Sequence, residues 1–86
     1  MPGLSSLLEV FETLRRGIED ADAAEEIETL VRRGAWLVKL VNAPAWAGSF
    51  GDDLPTVREA AAGAYAETVR VAARRAADLG VEIRLD

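Results

Sequence analysis

Residues 27–41 read IETLVRRGAWLVKLV, and the way this stretch is taken decides the fold. Ile27, Leu30, Val31, Gly34, Leu37, Val38 and Val41 recur at steps of three and four, the spacing of one face of an α-helix. The second half is more apolar than one face requires, because Ala35, Trp36 and Leu40 are apolar too and only Lys39 interrupts the run from Gly34 to Val41. Two readings follow. In the first, the helix passes through Gly34 and stops at Asn42, because Ala43 precedes Pro44 and is disfavoured in the α region. In the second, Arg33-Gly34 closes a helix and residues 35–41 are a buried strand, since a continuous apolar run with two β-branched residues suits a strand covered on both faces. The three-four spacing holds through Val41 and favours the helix. Either way, another part of the chain, a second copy or a partner must cover the surplus apolar surface.

Upstream, Ser6 with Glu9 predicts a capping box and a first helix over about 6–19. Its stripe is Leu7, Phe11, Leu14, Ile18 and Ala21, widened by Leu4, Leu8 and Val10. Gly17 offers an early left-handed end to this helix. Asp22 with Glu25 predicts a second capping box opening the helix at 23–42, and the short Asp20–Asp22 join makes the first two helices antiparallel neighbours. Glu12 is placed to pair with Arg15 or Arg16, and Glu28 with Arg32.

Downstream, Asn42–Asp53 (NAPAWAGSFGDD) is the one long loop, punctuated by Pro44, Gly48 and Gly51. It carries Trp46 and Phe50, which are expected to fold onto the core as a plug or else to face a partner. Asp53 is the expected cap of a third helix over 54–79, with Pro55 in its first turn and Thr56–Glu59 as a second capping possibility. Its buried face is mostly small: Val57, Ala61, Ala64, Tyr65, Thr68, Ala72, Ala76 and Leu79. Glu59, Glu67, Arg70, Arg74 and Asp78 form the wet face, with Arg74–Asp78 as an i,i+4 pair. Gly80 then stops the helix, and the period changes to two: Val81, Ile83 and Leu85 alternate with Glu82, Arg84 and Asp86, the pattern of a half-buried strand.

The predicted fold is therefore a single domain, residues 1–86, mainly α: three helices (about 6–19, 23–42 and 54–79) with a short C-terminal β-strand over 81–85. The alternative is α/β, with residues 35–41 and 81–85 in a parallel strand–helix–strand unit. If 35–41 is helical, the tail strand needs an edge from another molecule, most simply the tail of a second copy about a two-fold axis.

Composition removes several function classes. The chain has 86 residues, with no cysteine and no histidine. A zinc site, a haem ligand and the usual nucleophile–base pairs therefore lack their residue types. Asp52 and Asp53 supply too few ligands for a hard cation, and Lys39, the single lysine, is expected to snorkel over Trp36 and Leu40 rather than act as a nucleophile. No enzyme activity, metal or cofactor is expected. The net charge is −5, and Glu19, Asp20, Asp22, Glu25, Glu26 and Glu28 gather within ten residues. This patch disfavours nucleic acid and anionic membrane and suits a basic protein. The doublets Arg15-Arg16, Arg32-Arg33 and Arg74-Arg75 are expected to be solvated. The N-terminal residues do not resemble a signal peptide, no apolar run approaches ~20 residues, and the cytoplasm is the default location.

Trp46-Ala47-Gly48, between two helical regions, resembles the Trp-x-Gly turn of the WXG100-like family of small secreted helical hairpins. The resemblance implies a dimerising hairpin exported by a dedicated secretion system. The surrounding loop is longer and richer in proline and glycine than that family's turn, and Val69 stands four residues after Tyr65 where a tail motif would be expected.

The function expected from these residues is non-catalytic protein–protein association, as a homodimer or as a small subunit of a larger assembly. Trp36, Leu40, Trp46, Phe50, Val81, Ile83 and Leu85 are the candidate interface residues. The chain alone is not expected to be a stable monomer at micromolar concentration. The alternative is an acidic immunity or antitoxin-type inhibitor that covers a basic partner with the patch at Glu19–Glu28.

Overall fold

The computed structural model describes residues 4–44 and 51–84. They form three long helices: α1 (Leu4–Asp20), α2 (Ala24–Asn42) and α3 (Leu54–Leu79), the last led in by a 3-10 turn at Gly51–Asp53. The fold is mainly helical. Residues 35–41 belong to α2, so the α/β alternative falls. The helix runs through Gly34 because this glycine is a contact point and not an end. A Cβ built there would lie 3.3 Å from Tyr65 Cδ1 and 3.4 Å from Phe11 Cε1. Removing the side chain at 34 lets α2 settle against both neighbours.

The three-residue turn at Ala21–Ala23 makes α1 and α2 antiparallel. The start of α3 lies by the end of α2, where Arg58 Nε donates to the Val41 carbonyl (3.4 Å). The end of α3 lies by the α1–α2 turn, where Arg75 Nε donates to the Ala21 carbonyl (3.0 Å). The topology is therefore up-down-up. In both contacts an α3 guanidinium meets carbonyls at or just beyond the C-terminal end of another helix, where backbone acceptors are left over and the dipole favours positive charge.

The core has two layers. Near the turn, Ile18, Ala21, Ile27, Val31, Ala72 and Ala76 are buried together. Further up, Phe11, Leu14, Val41, Val57 and Ala61 are buried, and Leu30 and Tyr65 touch both layers. The predicted stripes of α1 and α2 supply this core, and α3 buries Val57, Ala61, Thr68, Ala72 and Ala76 as its small-residue pattern requires. Thr68 is fully buried, yet its hydroxyl is satisfied by donating to the Ala64 carbonyl (2.8 Å). Glu59, Glu67, Arg70, Arg74 and Asp78 are all exposed.

Several local expectations are corrected. α1 starts at Leu4, so Ser6 lies inside its first turns and is not its cap. Gly17 does not end α1; its bare backbone leaves room for Leu30, whose Cδ1 would be 3.1 Å from an added Cβ. The residue before α2 is Ala23, in extended conformation with no side-chain cap, and Asp22 instead stands 3.7 Å from Arg75. Asp53 precedes α3 but makes no capping hydrogen bond, and Thr56 lies within the helix. On the wet face of α3 the ion pair is Glu67–Arg70 (3.1 Å), not Arg74–Asp78. Glu12–Arg16 forms as expected at 2.7 Å, and Glu28–Arg32 is looser at 3.9 Å.

Gly80 ends α3 at φ +68°, with its own N–H donating to the Ala77 carbonyl (3.2 Å) and the Val81 N–H to the Ala76 carbonyl (3.0 Å). This is the reciprocal pair of a Schellman motif. The tail beyond it is not a strand among the described residues: 81–84 carry no regular structure. Val81 and Ile83 pack on the lower core layer of their own chain, and the Arg84 N–H donates to Glu28 Oε2 (3.2 Å). Helix faces supply the covered side that the alternation demands, and a carboxylate takes a backbone donor that a strand would otherwise have taken. Trp46 and Phe50 lie outside the described residues, as do Leu85 and the Trp46–Gly48 turn.

Candidate interaction surface

α3 covers one side of the α1–α2 pair. On another side an open groove of about 620 Å³ is lined, among the described residues, by α1 and α2. Its apolar floor is Val10 and Leu14 from α1 with Trp36 and Leu37 from α2, and its polar edge is Ser6, Glu9, Thr13 and Arg33. Trp36 is 60% exposed and Val10 44%. Burying a Trp or Val side chain is worth a few kcal/mol, so leaving both in water is a cost the bundle does not itself recover. Leu8, 40% exposed, is an apolar side chain outside this groove.

The groove arises because α2 carries two apolar stripes. Ile27, Val31, Gly34 and Val41 turn inward and are buried, whereas Leu30, Leu37 and Leu40 are half-buried and Trp36 is exposed. α3 can close only one stripe. A smaller depression of about 380 Å³, lined by Glu25, Glu26, Thr29, Leu30 and Arg33, continues along the same side of α2 toward the turn and shares Arg33 with the groove.

The other expected site residues fall elsewhere. Leu40 is half-buried, and Val81 and Ile83 sit against the core rather than in the groove. Five of the six patch acids, Glu19, Asp20, Asp22, Glu25 and Glu26, are exposed around the α1–α2 turn. Glu28 is half-buried and engaged by Arg32 and the Arg84 N–H. Lys39, Asp52 and Asp53 are exposed. No group of three or more acidic side chains able to hold a metal ion occurs among the described residues. No helix among them is long and apolar enough to cross a membrane. Val10, Leu14, Leu37 and the edge residues Glu9 and Arg33 are read from the sequence as stripe, cap or solvated residues and not as interface residues. The signal for Val10, Arg33 and Leu37 is the second three-four spacing on α2, at Leu30, Arg33, Leu37 and Leu40, and on α1, at Ser6, Val10, Thr13 and Gly17.

No protein-family model matches the chain, and neither a curated protein nor a solved structure gives a match.

Proposed function

We propose that the chain is a non-catalytic association module that holds another polypeptide on the α1–α2 face, as a homodimer or as a small subunit of a larger assembly. The observation that carries this is Trp36, exposed at 60% beside an apolar groove floored by Val10, Leu14 and Leu37. Tryptophan is the residue most enriched among those that dominate binding energy at interfaces, and an apolar centre with a polar edge is the usual anatomy of such a surface.

The test is a photo-crosslinking amino acid placed at position 36 in the producing cell, with the same group at Ala62 on the exposed side of α3 as control. Adducts of discrete mass from position 36 and none from position 62 support the reading. Equal labelling, or none at either position, refutes it. An assembly driven by the groove should persist at ~1 M salt, where exposed charge pairs are screened.

A second reading has its own observation, the five exposed carboxylates around the α1–α2 turn. In that reading the chain is an acidic inhibitor of a basic partner, the partner covers the turn, and binding is lost at ~1 M salt.

A further inference from the structure

We infer that the occupant of the groove is one amphipathic α-helix of another protein, with an apolar stripe for Val10, Trp36 and Leu37 and basic side chains in the first turn, which lies by Glu25 and Glu26. This rests on the α1–α2 face being the association surface.

The shape of the seat selects a helix. On α2 the outer side runs from Glu26 through Leu30, Arg33 and Leu37 to Leu40 at steps of three and four, about 21 Å or four helical turns at 1.5 Å per residue. On α1 the matching positions Val10 and Thr13 are short, and the backbone at Gly17 is covered by Leu30 of α2, so another axis can approach closely along the upper part of the seat. Two antiparallel helices with a third on one side leave open the fourth corner of a bundle, and the element that fills such a corner along its length is another helix.

The charge along the seat selects the partner. The upper half has an apolar floor with the single acid Glu9 exposed at its edge, Arg33 stands midway, and the lower end carries Glu25 and Glu26, exposed, with Glu19 and Asp20 exposed at the nearby end of α1. A second copy would bring another chain of net charge −5 against this acidic end. A foreign helix with a basic first turn meets opposite charge there, and its positive N-terminal dipole points the same way. Such a helix runs antiparallel to α1.

The experiment uses fluorescently labelled helical peptides of about 18 residues, long enough to span the seat, against the full chain. One has a leucine stripe and lysines in its first turn, the second has glutamates at those positions, and the third has the composition of the first in scrambled order. Anisotropy should show the lysine peptide binding about fivefold or more tightly than the glutamate peptide at ~0.05 M salt, a gap that closes at ~1 M. Glu25→Gln with Glu26→Gln should erase the gap, and Trp36→Ala should weaken both peptides. Equal affinity of the two peptides, with Trp36→Ala still weakening both, overturns the inference and leaves the association surface standing. No effect of Trp36→Ala on either peptide overturns the surface as well. Equal binding of the scrambled peptide, or a dimer that Trp36→Ala dissolves and no peptide displaces, overturns the helix partner in favour of bare charge attraction or of a second copy.

Discussion

Gly34 is where α2 meets side chains of both other helices, and replacing it by valine measures that contact. An added Cβ would lie 3.3 Å from Tyr65 Cδ1, 3.4 Å from Phe11 Cε1 and 3.7 Å from Leu14 Cδ1. Optimal carbon–carbon separations are about 3.5–4.0 Å, so a single methyl group already requires its neighbours to yield by a few tenths of an ångström. For Gly34→Ala that strain opposes a helix-propensity gain of ~1 kcal/mol, and the net change should stay within about 1 kcal/mol of zero. Valine adds two more methyl groups beyond that shell. Overpacking of this kind costs ~1–3 kcal/mol, against a propensity gain over glycine of only a few tenths. Thermal unfolding followed by circular dichroism should therefore show Gly34→Val melting lower by about 4–8 °C for each kcal/mol lost. Tyr65→Leu in the same chain should recover part of the loss, because the nearest atom is a ring carbon of Tyr65. Gly63→Ala is the control: nothing lies within 4 Å of a Cβ there, so the variant should gain ~1 kcal/mol. A Gly34→Val chain as stable as the parent, with Gly63→Ala more stable, would show that α2 does not meet Phe11 and Tyr65 at this residue.

Gly80→Ala should cost ~1–2 kcal/mol in urea unfolding, since φ is +68° and a Cβ opposes that conformation even though space is open around it; no loss would mean that α3 ends elsewhere. Arg75→Gln should cost ~1 kcal/mol, the charge-assisted bond to the Ala21 carbonyl being partly solvated at this half-buried side chain, and an unchanged urea midpoint would remove that tie between α3 and the turn. Phe11→Ala should cost ~3–5 kcal/mol out of a total of about 4–13, whereas Trp36→Ala should stay within ~0.5 kcal/mol. Comparable losses in the two variants would place Trp36 in the core.

Period carried further in this chain than end signals did. The stripes Phe11–Leu14–Ile18, Ile27–Val31–Val41 and Val57–Ala61–Thr68–Ala72–Ala76 are all buried, and each was legible because a three-four spacing admits only one way of hiding a face. The caps at Ser6, Asp22 and Asp53 were not legible in the same way. A side-chain cap depends on which residue takes the non-helical backbone angles, and a start moved by one or two residues transfers that role to a neighbour such as Ala23. Gly17 and Gly80 make the same point from the other side. Both are glycines in helical surroundings, yet only Gly80 has positive φ, because it alone precedes an apolar residue whose N–H can reach back to the Ala76 carbonyl while Val81 joins the core. Gly17 is followed by Ile18, which already belongs to the stripe and holds the helix on course.

The surface was half legible for a reason that also bears on what it does. The excess of apolar residues in 27–41 shows that α2 owns two stripes, but only the placement of α3 determines which is left open. Tail residues Val81 and Ile83 show how surplus apolar surface is settled within the chain when a helix face lies in reach: they pack on the lower layer without needing a strand partner. Trp36 and Val10 are not settled that way among the described residues, although Leu14 and Leu37 beside them are drawn largely into the bundle. If solubility alone had shaped α2, a polar residue at 36 would serve better, since Arg32, Arg33 and Lys39 already occupy neighbouring exposed positions of the same helix. A large apolar side chain kept among charged neighbours, over a groove that α3 does not reach, is the feature on which the proposal of a bound polypeptide rests.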